Sequence, residues 1–246
     1  MTNLHQDSQN NQLSRTGPRT VLLLCCSPRK GQHSHQLLQN AELSLIDIPE
    51  LTIQFESFAG KRIFSCQNCF SHCAREGHCW QNDDFEPIAR RWLEADGIVL
   101  GSPVYSFGPP SIVSAFFERL LALQRANPAV YTSPFWPQPV GIAAQGGSEY
   151  SGVEISAQML LSQCLSVGCI PISGDMPGFS QGVIGQIRDD ANIPEHLAKG
   201  VQRLATRLVD MTRINAAGQN PEPTPLRFLT VKAGAPEDAL VDALDT

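Results

Sequence analysis

Charged and aromatic residues are both scarce in this chain. Of its 246 residues, 17% are charged and 7% are aromatic, whereas 42% are hydrophobic. The hydrophobic content is enough for a sizeable core and too high for an intrinsically disordered protein. The length suits one full domain or two small ones. With so few charges, the surface must consist largely of uncharged polar side chains.

Long hydrophobic runs are also absent, which excludes further classes. No run approaches the roughly 18 apolar residues that a membrane-spanning helix needs. The longest early run, residues 21–26, is too short for a secretory signal and precedes no small-residue cleavage site. The net charge of −6 disfavours non-specific nucleic-acid binding, which needs a basic surface. We expect a cytoplasmic protein with no membrane or nucleic-acid partner.

The eight cysteines are too few for a disulfide scaffold, and a cytosolic setting argues against disulfides. Four of them lie in or beside apolar runs and are predicted to be small buried hydrophobic residues: Cys25, Cys26, Cys164 and Cys169. The other four fall within fourteen residues: Cys66, Cys69, Cys73 and Cys79. This second group needs a separate explanation.

Strand and helix patterns alternate along most of the chain. Apolar runs predict five strands, at residues 21–26, 51–55, 97–101, 139–144 and 169–172. Helical patterns occupy residues 85–94, 112–123 and 152–167, a stretch from Ser34, and a stretch from Pro194 to Arg213. Such alternation implies an α/β fold, with a parallel sheet and helices on both faces. Five strands favour the flavodoxin-like doubly wound order.

The domain organisation follows from where these patterns stop. We predict one domain over residues 19–214, with a Cys-rich insertion at 63–82. Residues 1–18 have no apolar periodicity and are predicted to be a disordered arm. Residues 215–246 are predicted to be an extended tail with one strand-like piece at 226–231.

Ligands of a doubly wound sheet bind outside the carboxyl ends of its strands, where the strand order reverses. The loop after the first strand ends there and combines Ser27, Arg29, Lys30 and Ser34. Its hydroxyls, its guanidinium and the free amides of the following helix would together favour a phosphate. The alternative is an ordinary strand–helix turn in which Ser34 caps the helix.

The loops after the third and fourth strands converge at the same edge. The third-strand loop holds two aromatic residues in a Pro/Gly-rich stretch where a flat ligand could stack: Pro103, Val104, Tyr105, Ser106 and Phe107. The fourth-strand loop contains Gly146, Gly147 and Ser148, and paired glycines let a backbone approach a ligand closely. Alternatively, the aromatic residues fold back on the domain and the glycine loop binds nothing.

The second group has the spacing Cys66-x2-Cys69-x3-Cys73-x5-Cys79. Four thiolates this close in sequence would repel one another unless a metal ion or cluster neutralised their charge. Structural zinc sites usually join two ligand pairs that lie far apart in sequence. One compact run is more typical of a [4Fe–4S] cluster site. Zinc, redox disulfides and free thiols remain alternatives, and His72 and His78 could replace one cysteine as ligands.

Four motifs, taken in order along the chain, resemble those of the NADPH-dependent FMN reductase-like flavoproteins. They are SPRKGQHS, the four-cysteine run with Asp83-Asp84-Phe85, ADGIVLGSPVYSFGPPS and AAQGGSEYSGVE. The match is best with their iron–sulfur flavoprotein branch and covers roughly residues 20–213. The resemblance implies one FMN per subunit, with the first loop on its phosphate and the other two beside its isoalloxazine ring. It also implies that the four clustered cysteines bind an iron–sulfur cluster.

The resemblance further implies an NAD(P)H-dependent flavin oxidoreductase that assembles as a homodimer or homotetramer. A reduced nicotinamide would give hydride to the flavin, and the cluster would pass electrons on singly. No side chain has to act as a general base, so no catalytic residue is assigned. Two features depart from the family: three residues instead of two separate Cys69 from Cys73, and His33 replaces an asparagine. The rival interpretations are a non-enzymatic electron carrier and a flavoprotein with a structural zinc.

Overall fold

A parallel β-sheet runs through the computed structural model, which describes residues 18–134, 137–148, 150–174, 181–188 and 192–218. Its strands are β1 (Arg19–Cys25), β2 (Leu51–Ser57), β3 (Gly97–Pro103), β4 (Pro139–Gly146), β5 (Ile170–Ile172) and β6 (Val183–Gln186). The helices are α1 (His33–Leu43), α2 (Phe70–Glu76), α3 (Phe85–Glu94), α4 (Ser111–Ala126), α5 (Pro128–Tyr131), α6 (Val153–Ser166) and α7 (Glu195–Gly218). No helix in the described ranges is long and apolar enough to span a membrane.

The strands follow the order β2-β1-β3-β4-β5, and every pair is parallel. The order reverses after β2, because β3 lies on the other side of β1. This confirms the predicted flavodoxin-like doubly wound fold. The strand-like piece predicted at 226–231 and nearly all of the predicted N-terminal arm lie outside the described residues.

All five predicted strands are present, and the sheet contains one further short strand, β6, that was not predicted. β3 occupies one edge of β4, and two short strands share its other edge. β5 pairs with Pro139–Gly141, and β6 pairs with Ala143–Gly146. The four residues of β6 include a glycine and are too few to give a clear apolar pattern. The edge position next to β4 is therefore shared by two short strands, β5 and β6.

Alternating residues of the central strands face two separate hydrophobic cores. Leu22 and Leu24 of β1 point into the core beneath α3, α4 and α6. Leu23 and Cys25 point into the core beneath α1 and α7. Since successive side chains of a strand alternate between faces, a strand covered on both sides must be apolar throughout. This explains the continuous apolar runs in the sequence.

Helix α1 packs very closely on β3 at Gly101. A Cβ at this position would lie 2.7 Å from Leu38 Cγ and 3.1 Å from the carbonyl oxygen of Ser34. Both distances are too short for an unstrained contact. The absent side chain at Gly101 therefore fixes how near the first turn of α1 lies to the carboxyl end of β3.

We expect Gly101→Ala to lower the free energy of unfolding by about 1–3 kcal/mol, because the added methyl must displace α1 from the sheet. Chemical denaturation of the cofactor-free chain measures this change. Gly147→Ala is the matched control, since a Cβ there has no neighbour within 4 Å. Equal stability of the two variants would contradict the close packing of α1 on β3.

Candidate functional site at the carboxyl edge of the sheet

The three predicted loops meet at the carboxyl edge of the central strands. The Cys26 amide at the end of β1 donates to the Gly101 carbonyl of β3 over 2.8 Å. The Val104 amide after β3 donates to the Gln145 carbonyl of β4 over 3.0 Å. The backbone thus connects the starts of all three loops, as the doubly wound order requires.

The first loop presents an uncapped helix N-terminus. Helix α1 begins after Gln32, no side chain caps its first amides, and its first turn contains no acidic residue. Ser27 and Ser34 are buried beneath the loop, whereas Arg29 and Lys30 are exposed. The alternative in which Ser34 caps the helix is wrong, because Ser34 lies inside the first turn. Unsatisfied amides and two cations make this a fitting site for an anion.

Gln145 connects the first and third loops, and the sequence interpretation missed it. Its side chain is buried at the end of β4, and its Nε2 donates to Ser34 Oγ over 3.3 Å. Ser34 Oγ then acts as an acceptor for Gln145, which leaves the hydroxyl proton available to donate elsewhere. The signal was a polar residue at the carboxyl end of an otherwise apolar strand.

The second loop contains a tight two-residue turn. Tyr105 and Gly108 exchange both backbone hydrogen bonds, at 2.7 and 3.0 Å. The residues between them, Ser106 and Phe107, have positive φ values of 48° and 65°. This is the type I′ pattern, which normally needs Asn or Gly at both positions. Strain of about 1–3 kcal/mol per residue is typical of sites where a loop is held for function.

The aromatic side chains of this turn stay at the surface. Tyr105 and Phe107 are 37% and 57% exposed, so neither ring is buried in the core. Pro103 is buried, Val104 is half-buried, and Ser106 is exposed. The turn therefore presents two partly exposed aromatic rings at the carboxyl end of β3.

The third loop leaves β4 through Gly146 and reaches α6 at Gly152. Gly146 is buried, whereas Gly147 and Ser148 are exposed. Gly152 has a φ of +75°, and a Cβ there would lie 2.3 Å from Phe107 Cδ1. Only glycine meets both requirements. The Phe107 ring thus packs on the backbone at the start of α6 and joins the second loop to the third.

The other three clustered cysteines lie near Cys73, between β2 and α3. Burial and the neighbouring thiols of Cys69, Cys79 and Cys66 raise the pKa of the Cys73 thiol. Cys69 precedes α2 and Cys73 lies on it. Residues four apart on a helix share one face. The third residue between these two cysteines is thus absorbed by one helical turn, which the sequence interpretation did not predict.

Within the described ranges, no three His, Cys, Asp or Glu side chains are arranged to hold a metal ion. The proximity of all four thiols, rather than a finished single-ion site, is what the structure contains. Four thiolates are a donor set that an iron–sulfur cluster and a zinc ion can both accept.

The other four cysteines are buried core residues, as predicted: Cys25, Cys26, Cys164 and Cys169. Burial raises the pKa of the Cys26 and Cys164 thiols well above the usual value. It raises the pKa of Cys169 to about 12. Thiols of this kind stay protonated and unreactive at neutral pH.

A buried ion pair beside the cysteine segment was also missed. Arg119 of α4 donates to Asp83, and their side chains are 2% and 1% exposed. Burial alone would raise the pKa of Asp83, but Arg119 and the amides of Phe64 and Phe85 outweigh it and lower that pKa. The sequence signal was an arginine on the apolar face of α4, three residues after the buried Phe116.

Comparison with known proteins agrees with this geometry. The family model for NADPH-dependent FMN reductases matches residues 19–182. An iron–sulfur flavoprotein from Archaeoglobus fulgidus is 28% identical over 193 residues, covering 75% of this chain and 95% of that protein. Another from Methanocaldococcus jannaschii is 31% identical over 165 residues, covering 67% of this chain and 81% of its own length.

Solved structures share the fold. The flavoenzyme NAD(P)H:(acceptor) oxidoreductase FerB from Paracoccus denitrificans is 15% identical, with a TM-score of 0.55 over 80% of this chain and 98% of that one. A WrbA-like flavodoxin from Agrobacterium tumefaciens is 14% identical, with a TM-score of 0.50 over 81% and 99%. At such low identity this likeness bears on the fold alone.

These findings define a flavoprotein of the flavodoxin-like class, an FMN-dependent oxidoreductase. More particularly, the chain belongs to the NADPH-dependent FMN reductase family, in its iron–sulfur flavoprotein branch.

We expect Asp83→Asn to lower the free energy of unfolding at pH 7 by about 3 kcal/mol, because it leaves the Arg119 charge buried and unpaired. The pKa of Asp83 is lower in the folded chain than the ordinary value of about 3.9. The wild-type advantage is therefore fully present above pH ~4 and is lost as the pH falls through the lowered folded value.

Urea unfolding at a series of pH values measures this difference. The control is Asp210→Asn, which removes an exposed partner of Arg213 and should change stability by less than about 1 kcal/mol. If the difference in free energy of unfolding between wild type and Asp83→Asn stayed constant down to pH ~2, the result would contradict an ionised Asp83–Arg119 pair.

Proposed function

We propose that this protein binds FMN across the three loops, oxidises NADPH or NADH, and passes electrons to a [4Fe–4S] cluster on Cys66, Cys69, Cys73 and Cys79. The observation that carries the proposal is the uncapped N-terminus of α1 beside Ser27, Arg29 and Ser34. When bound, FMN accepts hydride from a nicotinamide and the cluster carries single electrons. The residues of this chain bind and orient these groups.

The first loop suits a phosphate monoester. The free amides of α1 and its dipole favour a dianion, and Arg29 can add a charge-assisted, bidentate contact. Lys30 adds a second cation on the exposed side. Ser34 can donate its hydroxyl proton to the phosphate, because Gln145 already donates to its oxygen. His33, buried at the first position of α1, can donate a further hydrogen bond from one ring nitrogen.

The second and third loops suit the flavin ring. Pro103 ends β3, the backbone of Val104 and Ser106 follows it, and the partly exposed rings of Tyr105 and Phe107 are available for stacking. Gly146, Gly147 and Ser148 form the opposite wall, and a Cβ at Gly147 would meet nothing within 4 Å. That open space lets a planar group approach the backbone amides closely.

The cysteine segment suits a cluster for two reasons. Burial and the nearby thiols of Cys69, Cys79 and Cys66 raise the pKa of the Cys73 thiol, so four thiolates there would need a cationic centre. The helical turn of α2 brings Cys69 and Cys73 to one face despite their spacing, which is wider than in the family pattern. Relatives in this branch carry the name iron–sulfur flavoprotein, which supports the same assignment.

A homodimer or homotetramer is part of this proposal. The aromatic turn is continuous with exposed apolar side chains of α6, since Gly108 lies against Met159, which is 42% exposed. Ile155 on the same helix is 51% exposed. A second subunit that covers this surface would shield the flavin site from water.

We expect Arg29→Ala to weaken FMN binding by about 1.5–3 kcal/mol, because a charge-assisted hydrogen bond to the phosphate is lost. Titration of the cofactor-free chain, followed by flavin fluorescence, measures this change. Riboflavin, which lacks the phosphate, should bind wild type and variant equally. Arg125→Ala, an exposed arginine at the far end of α4, is the control. Unchanged FMN affinity in Arg29→Ala would place the phosphate elsewhere.

The purified protein should oxidise NADPH or NADH with an artificial acceptor in steady state. It should contain about four irons per FMN, with absorbance near 400 nm that bleaches on anaerobic reduction. No turnover with either nucleotide across several acceptors would leave a non-enzymatic electron carrier. Zinc in place of iron would indicate a structural metal site and would contradict electron transfer through a cluster.

A further inference from the structure

Two adjacent charges on α4 have no role in the flavin site. Glu118 and Arg119 lie two turns into the helix that begins at Ser111, directly after the aromatic turn. The cysteine segment is defined here as residues 61–82. Glu118 contacts this segment, and Arg119 contacts both the segment and the residues that immediately follow it. Helix α4 therefore contacts both halves of the proposed electron path.

Arg119 makes three interactions with residues at the two ends of the segment. Its Nη1 donates to Asp83 Oδ2 and to the Phe64 carbonyl, the latter over 3.4 Å. Its guanidinium also stacks 4.2 Å above the Phe85 ring. Nε of Arg119 is buried and has no hydrogen-bond partner among the described residues. In the part of the chain that the structure describes, Asp83 is the one carboxylate within ion-pair distance of this buried charge.

Asp83 joins the beginning of the segment to its end. Oδ2 accepts the Phe64 amide over 2.8 Å, and Oδ1 accepts the Phe85 amide over 3.2 Å. Asp84 repeats the connection one residue on. Its carboxylate accepts the Arg62 amide over 2.7 Å, and its own amide donates to the Arg62 carbonyl over 2.9 Å. The two ends of the segment are closed together at the surface of α4.

Glu118 reaches the first cysteine itself. Its Oε2 accepts the backbone amide of Cys66 over 3.1 Å. On the other side, Gln81 donates to the Ser65 carbonyl over 3.2 Å and lies 3.9 Å from Cys79 Sγ. The chain positions of the first and last cysteines are therefore held by polar contacts that originate on α4 and at the end of the segment.

We propose that Glu118 and Arg119 are positioning residues that hold the four thiols together as a set before any metal binds. This proposal rests on the proposed function in one respect, namely that the four thiols are the ligands of the cluster. Arg119 closes the segment through Asp83, and Glu118 fixes the chain direction at Cys66. Because α4 also follows the aromatic turn, the same helix sets the thiols relative to the flavin loops.

The test measures alkylation of each cysteine in the iron-free full chain, with iodoacetamide and mass spectrometry. Asp83→Asn should speed modification of Cys73, the buried thiol among the four, about tenfold or more, since breaking a buried pair is costly. The half-buried Cys66, Cys69 and Cys79 should speed up by a smaller factor. Glu118→Gln should speed that of Cys66 by about threefold, since a single exposed hydrogen bond is weakened. Glu86→Gln is the matched control, because Glu86 binds Tyr131 and Arg90 rather than the segment.

The core cysteines of the same molecule distinguish local from global opening. In Asp83→Asn, the segment thiols should react at a rate independent of low urea, because local opening exposes little surface. Cys25, Cys26, Cys164 and Cys169 should react far more slowly and with a steep dependence on urea.

Two outcomes would overturn the proposal. One is an unchanged rate for the segment thiols in Asp83→Asn. The other is a shared rate and urea dependence for all eight cysteines, which would make the pair a support of the whole fold. The measurement needs neither FMN nor iron. If the purified wild-type protein contained neither iron nor FMN, the proposed function would be contradicted. The alkylation rates would still test the positioning role of Glu118 and Arg119.

Discussion

The close approach of α1 to β3 at Gly101 decides where the reactive edge of this molecule can form. Because a Cβ would collide with Leu38 and crowd the Ser34 carbonyl, the first turn of α1 lies directly beside the carboxyl end of the central strand. The unsatisfied amides of that turn then face the edge where the strand order reverses. Gln145, one strand further on, donates to Ser34 and connects the same turn to the third loop. One missing side chain in the core thus sets the geometry of two loops above it.

The aromatic turn shows a second way in which packing is set against local preference. Ser106 and Phe107 occupy a left-handed conformation that costs each of them stability, and neither residue type favours it. The cost is offset where the Phe107 ring packs on Gly152, a position that no other residue could fill. A relaxed Asn-Gly turn would give the same hairpin more cheaply but would present no aromatic ring. Such strain is typical of a loop that is held for recognition rather than for stability.

Most of the fold could be predicted from the sequence, because strands covered on both faces leave continuous apolar runs. The buried strand at residues 97–101 is an example, and the parallel sheet and its order follow from that pattern. Three elements were missed, and all are short or polar: β6 and α5 have four residues each, and α2 has the sequence FSHCARE. Loops after strands could be assigned to the site because topology alone brings them together. Gln145 and Arg119 could not, since their partners lie 111 and 36 residues away in sequence.

The cysteine segment is the part of the fold for which apolar burial is least sufficient. Of residues 61–82, only Ile63 and Cys73 are buried, while Phe64, Phe70 and Trp80 are exposed. Where apolar burial is small, the structure adds hydrogen bonds to charged groups, which are stronger than those between neutral groups. Asp83 and Asp84 accept backbone amides from the start of the segment, and Arg119 pairs with Asp83. A buried ion pair, rather than another apolar contact, therefore lies where the segment meets α4.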